Sequence, residues 1–172
     1  RDALIIVIRD IVVHDHRGTA RSSLSKITYS VEQMADDALQ LIEGLGYDKV
    51  HWCGHSTGGA MGQILAIEHP ERIDRLVLSA TWAKTDAFFR RLFEMRSLTL
   101  RELGPAAYLK SSALALNSPA WVRDHDAALA AAEAKALETI PVPEIVLSRI
   151  AAIVGHDRRE QLQKVTARTL AV

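Results

Sequence analysis

Gly54-His55-Ser56-Thr57-Gly58 has the form G-x-S-x-G, residue types and spacing that suit a serine nucleophile. A β-prone segment, Lys49-Val50-His51-Trp52-Cys53, precedes it, and a helical one, Gly59 to Ile67, follows. Strand, sharp turn and helix together form a nucleophile elbow, which lifts the serine hydroxyl clear of the backbone. The turn forces the serine backbone toward an unfavourable region. Side chains on its neighbours would collide there, so Gly54 and Gly58 are expected to be required. Gly59 and Gly62 would keep the first helical turns close to the strand. The backbone N–H of Thr57, at the helix N-terminus, would face a developing oxyanion. Outside that context, Ser56 would be an ordinary helix N-cap.

A neutral hydroxyl needs a base. Downstream of Ser56 the histidines are His69, His125 and His156, and Asp124 or Asp126 with His156 would satisfy a Ser, acid, His order. Gly155-His156-Asp157-Arg158 reads better as a helix start, so neither acid nor base is assigned. His55 is expected to form a pocket wall. Trp82 leads the aromatic pocket candidates, with Phe88, Phe89, Phe93, Tyr108 and Trp121 behind it. His14 and His16 share a side of a strand, as two metal ligands can, but no third ligand is near in sequence. They read as loop and strand histidines, Asp15 and Arg17 as groups that fix a loop, and Cys53 as a small buried hydrophobe. No metal and no cofactor are implied.

The elements that must position these residues are legible in outline. Ala3–Ile8 and Ile11–His14 read as strands. Ser30 caps a helix with one apolar face (Val31, Met34, Ala35, Ala38, Leu39 and Ile42), and Gly44 is expected to end it. The strand 49–53 follows, then the elbow helix, stopped near His69 by Pro70. Leu76–Ser79 is the next strand, so β-α-β units and a mostly parallel sheet are predicted. From about Thr85 to Arg149 the chain reads as some four short helices, broken near Gly104-Pro105, Asn117-Ser118-Pro119 and Pro141-Val142-Pro143. A helix over 157–164 and a strand from Thr169 complete the reading.

The bulk numbers narrow the partners. Lys plus Arg and Asp plus Glu both total 21, so no net charge draws the chain to nucleic acid or a membrane surface. No apolar run reaches the length of a membrane span, and no leader peptide is visible. A single cysteine, Cys53, permits no internal disulfide and suits the cytoplasm. A small molecule is the expected partner.

Four stretches resemble the α/β-hydrolase family. Ile11 to Ser22 is similar to its strand followed by D-x-R-G-x-G-x-S, Tyr29 to Asp37 to the helix that follows, Gly54 to Gly59 to its elbow, and His69 to Leu78 to the link into its next strand. Ala80-Thr81-Trp82 and Phe89 to Arg96 carry a narrower likeness to oxoadipate enol-lactonases and to pyrimidine-utilisation protein D, regarded as an aminoacrylate hydrolase. The resemblance implies an α/β fold: a partial hydrolase core within one domain, 1–172, interrupted by a helical cap over 85–149. It implies a hydrolase in which Ser56 attacks a small ester, lactone or amide-like carbonyl and forms an acyl-enzyme. A transferase or perhydrolase could use the same elbow. Three departures stand out: Ala20 replaces a glycine, no His-Gly oxyanion loop is visible, and the acid and histidine would fall beyond residue 172. The alternative is therefore a non-catalytic fragment or ligand-binding relative. Its exposed sheet edges would favour a homo-oligomer.

Overall fold

The computed structural model describes residues 10–172, so the expected strand Ala3–Ile8 lies outside the described residues. Helix α1 (Val31–Gly44) starts where the sequence demands, with the Ser30 hydroxyl accepting the Gln33 N–H at 3.0 Å. Its six buried residues are the six of the apolar face. Its end differs from the expectation. Gly44 stays helical, and Gly46 takes the left-handed turn at φ 79°.

Strand β1 (Val50–His55) runs directly into α2 (Thr57–Glu68). A short 3-10 turn, Pro70–Arg72, leads into β2 (Ile73–Ser79), which starts three residues before the predicted strand. Among the described residues the sheet is wholly parallel. The register sets Trp52 beside Leu76, and β3 (Arg168–Ala171) pairs along the far side of β2. Helix α2 lies over β1 and β2, and α1 packs on α2. That sandwiching explains why α2 is apolar all round: Gly58 to Ala66 are all buried. Met34, Met61, Ile64, Leu65, Ile73 and Leu76 form the centre of this core.

Two expectations fail for one reason. Ile11–His14 is no strand, and Ile11 and Val13 are 73% and 87% exposed. A strand needs a hydrogen-bonded neighbour, and no described residue supplies one. Cys53 is exposed rather than buried, because strand side chains alternate and described residues cover only one face of the sheet.

Four helices follow: α3 (Ala87–Leu116), α4 (Pro119–Asp124), α5 (Asp126–Thr139) and α6 (Pro143–Gly155). Gly104, at φ 82°, kinks α3 just before Pro105, where the sequence predicts a break. These outer helices share a second core of Phe93, Leu100, Tyr108, Val146 and Ile150. The chain leaves the first core near Ala83 and rejoins it along α6, whose Ile145 and Ala152 belong to that core, and the two ends meet beside Val154. There Arg158 N–H donates to the Ala83 carbonyl at 2.8 Å, and Thr85 Oγ1 donates to the Val154 carbonyl at 3.0 Å. The helix expected over 157–164 is instead a 3-10 segment, Arg159–Lys164.

Candidate active site

Ser56 occupies the one-residue gap between β1 and α2, with φ 51° and ψ −118°. That backbone is rare for any residue but glycine and is not the extended conformation of an N-cap. Its side chain caps no helix N–H. The hydrogen bonds Ser56 makes to described residues run through its backbone instead. Its N–H donates to the Ser79 carbonyl at 2.9 Å, and its carbonyl accepts from Thr81 Oγ1 at 2.7 Å and from Gly59 N–H at 2.9 Å. The end of β2 therefore clamps the turn, in a segment where Ala80 also has a positive φ of 45°. Thr57 is the first residue of α2, so its N–H is one of the donors left free at a helix start.

Three glycines let strand and helix approach. A Cβ on Gly54 would lie 2.1 Å from the Gly58 carbonyl oxygen, one on Gly59 2.6 Å from Thr81 Cβ, and one on Gly62 2.5 Å from Trp52 Cδ1. Gly58 departs from the expectation. Its Cβ would meet nothing within 4 Å and its φ is ordinary, so neither space nor backbone demands glycine there. The Trp52 indole N–H secures the turn by donating to the Gly58 carbonyl at 2.9 Å.

His55 is exposed at the end of β1, with Nδ1 3.3 Å from Ser79 Oγ. Trp82 is half-buried in an aromatic row, 5.0 Å from Phe89, which lies 4.7 Å from Phe93. Phe88 is 74% exposed, and Trp121 stacks on His125 away from that row. Tyr108 and Phe93 face a separate cavity between α3, α6 and the loop around Gly18.

The histidines after Ser56 go elsewhere. His125 stacks on Trp121, and His69 lies 3.8 Å from Glu71. His156 is buried, with Nε2 3.3 Å from Gln63 Oε1 and its ring edge-on to Trp82. Its partner is thus an amide and not Asp124 or Asp126, and burial pushes its pKa down. Gln63 Nε2 donates to the Trp82 carbonyl at 3.0 Å, which ties α2, Trp82 and the end of α6 together. The sequence reading missed Gln63, although one amide inside the apolar run Met61–Ile67 is a visible signal. Thr81 was named only within Ala80-Thr81-Trp82, with no role given to its hydroxyl.

The loop before α1 is fixed as expected. Arg17 Nε donates to Asp37 Oδ2 at 2.7 Å, and Arg21 pairs with Asp15. The Arg17 guanidinium holds the Asp37 carboxyl below its usual pKa. Ala20 sits at φ 44°, where a glycine would be unstrained. His14 and His16 lie 5.5 Å apart, and no group of three metal-ligating side chains occurs among the described residues.

Residues 7–109 match the family model for the alpha/beta hydrolase fold. The chain belongs to this family. The protein named "Putative carbamate hydrolase RutD" from Azorhizobium caulinodans is 34% identical over 93% of this chain and 60% of its own length. Its namesake from Agrobacterium fabrum is 36% identical over 94% of this chain and 62% of its own length. Among solved α/β-hydrolases, the enol-lactonase from Burkholderia xenovorans LB400 superposes with a TM-score of 0.79 at 26% identity. The match covers 91% of this chain and 59% of that one. The chain thus spans about 60% of the length of the curated relatives it matches. The narrower likeness expected from the sequence is met on both sides, by relatives that bear a carbamate-hydrolase name and by an enol-lactonase structure. These findings give the chain the α/β-hydrolase fold, with relatives that are named as hydrolases. Among the described residues, no helix is long and apolar enough to cross a membrane.

Proposed function

We propose that this chain carries the nucleophile of a serine hydrolase acting on a small carboxylic ester, lactone, carbamate or amide-like substrate. The observation that carries the reading is the Ser56 backbone, held at φ 51° between a parallel strand and a helix start. Strain of this kind persists only where surrounding structure over-determines it, and it concentrates at active sites. The clamp from Ser79 and Thr81 supplies that determination.

In the proposed reaction Ser56 Oγ bonds to the substrate carbonyl carbon and its proton passes to a general base. The Thr57 N–H, aided by the α2 dipole, stabilises the oxyanion. The alkoxide or amine leaves with that proton, and water then cleaves the acyl-enzyme. His55 and Trp82 are proposed to line the pocket and the outer helices to cap it. The proposal needs a base and an acid besides the residues hydrogen-bonded to Ser56, and it invokes no cofactor. The chain's one cysteine suits a cytoplasmic setting.

A second reading is favoured by the fate of the histidines: none after Ser56 hydrogen-bonds to it, as in a ligand-binding relative without a working triad. Intact-mass spectrometry after fluorophosphonate treatment separates the two. A single adduct, absent in Ser56→Ala, is expected. A folded sample that takes up no label would favour the non-catalytic reading.

A further inference from the structure

We propose that the cavity between the outer helices and the loop around Gly18 is a carboxylate-binding site built on Arg149. Its ligand is a small molecule with an apolar body and one carboxylate. The cavity measures about 220 Å³ and takes Gly18 and Thr19 from the loop, Phe93 and Tyr108 from α3, and Arg149 and Ile153 from α6. Arg149 is the one charged residue in its lining, and the remaining wall is dominated by aliphatic and aromatic groups.

Arg149 pairs with no carboxylate among the described residues. Its Nη1 donates to the Arg17 carbonyl and lies 4.0 Å from Met34 Sδ, and its guanidinium carbon sits 5.8 Å over the Tyr29 ring. These neutral partners orient the group and leave its charge uncompensated. The Nε–Nη2 edge makes no hydrogen bond to a described residue, and that edge can grip a carboxylate with two parallel N–H bonds. A half-buried cation among apolar walls costs free energy until an anion joins it.

The surroundings reinforce the sign. Arg96 Nη2 donates to the Tyr108 hydroxyl at 2.9 Å, so a second cation stands behind that wall. Burial, then the Arg149 charge, lowers the His16 pKa to about 4, so the field of the guanidinium is felt at the neighbouring loop. Ser56, Thr57 and Trp82 are not part of the lining, so the site is separate from the elbow. A ligand in it would touch the core loop and the outer helices at once.

The test uses hexanoate as probe and hexanamide as its uncharged counterpart, titrated against the whole chain by calorimetry and by amide chemical shifts. Hexanoate is expected to bind at least ten-fold more tightly than hexanamide and to shift Gly18 and Thr19. Arg149→Met should weaken hexanoate at least ten-fold, while Ser56→Ala binds it unchanged. Equal affinity for the two probes, shifts centred on the elbow, or full binding by a folded Arg149→Met variant would each overturn the proposal. Should Arg149→Met not fold, Ile153→Trp, which fills the cavity and keeps the arginine, is expected to abolish binding. Retained binding in that variant would equally overturn it.

Discussion

Two helices of similar length, α2 and α5, show how differently the two parts of the molecule are held. Gly58 to Ala66 of α2 are buried without interruption, whereas none of the fourteen residues of α5 is buried. Helix α2 exists because a sheet and α1 enclose it, despite its three glycines, Gly58, Gly59 and Gly62. Helix α5, Asp-Ala-Ala-Leu-Ala-Ala-Ala-Glu-Ala-Lys-Ala-Leu-Glu-Thr, relies on the intrinsic helix preference of alanine. The nucleophile candidate is thus fixed by packing, while part of the layer above it is held chiefly by local propensity. Local opening is expected to follow that division.

The comparison breaks most sharply inside the elbow. Gly54→Ala drives a Cβ into the Gly58 carbonyl and should cost roughly 4 kcal/mol or more. Gly58→Ala meets open space and should change stability by no more than about 1 kcal/mol. Urea denaturation of both variants measures the contrast, and equal costs would refute it. Next in size is the contrast between the two regions. Met61→Ala, at 0% exposure, should lose about 2–5 kcal/mol. Leu137→Ala in α5, at 43% exposure, should lose less than about 0.5 kcal/mol.

Acid should loosen the seam between the regions by a smaller amount. The folded pKa of His16 lies below its unfolded value of 6.5, at about 4, with burial the largest cause. That of His156 is also lowered by burial. The unfolded chain therefore binds more protons in this window, and stability falls as pH drops from 6.5 toward 4. Discounted for residual exposure, the His16 share is about 1–2 kcal/mol. Asp37, lowered by Arg17, adds a further loss once pH falls below its unfolded value of 3.8. Melting temperatures across pH 4–7 check the sign, and His16→Asn should flatten the upper part of the curve. The smallest effect is kinetic. Amides of α5 should exchange with deuterium well before those of α2, and matched protection would contradict the division.

How much was legible followed the same line. Ser30 with Gln33, the apolar spacing of α1 and the close approaches at Gly54, Gly59 and Gly62 are local signals that name real features of the structure, whereas nothing in the structure requires the glycine at 58. The outer helices were readable because Gly104-Pro105, Ser118-Pro119 and Pro141–Pro143 punctuate them. What was not legible depends on partners far along the chain. Ile11–His14 has the composition of a strand but no described neighbour to pair with. Cys53 looked buried because its face of the sheet could not be known from spacing. The joining of Gln63 to His156 spans 93 residues, and no periodicity announces it. Arg149 passed unnoticed because a single arginine on a helix is commonplace, and its isolation from carboxylates is visible only in three dimensions.

The meeting of Ala83–Thr85 with Val154–Arg158 has a consequence for change over time. Arg158 Nη2 reaches Glu32 on α1 at 2.9 Å and Glu68 on α2 at 3.2 Å, and Lys84 pairs with Asp157 at 2.7 Å across the same neck. Within the span they bound, α6 lies in both cores, through Ile145 and Ala152 in one and Val146 and Ile150 in the other, while α3, α4 and α5 place no buried residue in the first. Loop closure at such a neck depends only weakly on the length of what it closes. The span between Thr85 and Thr139 can therefore lengthen, shorten or be exchanged for an unrelated one while α6 and the scaffold beneath keep their shape, so that one platform can be refitted for new molecules by replacing its roof.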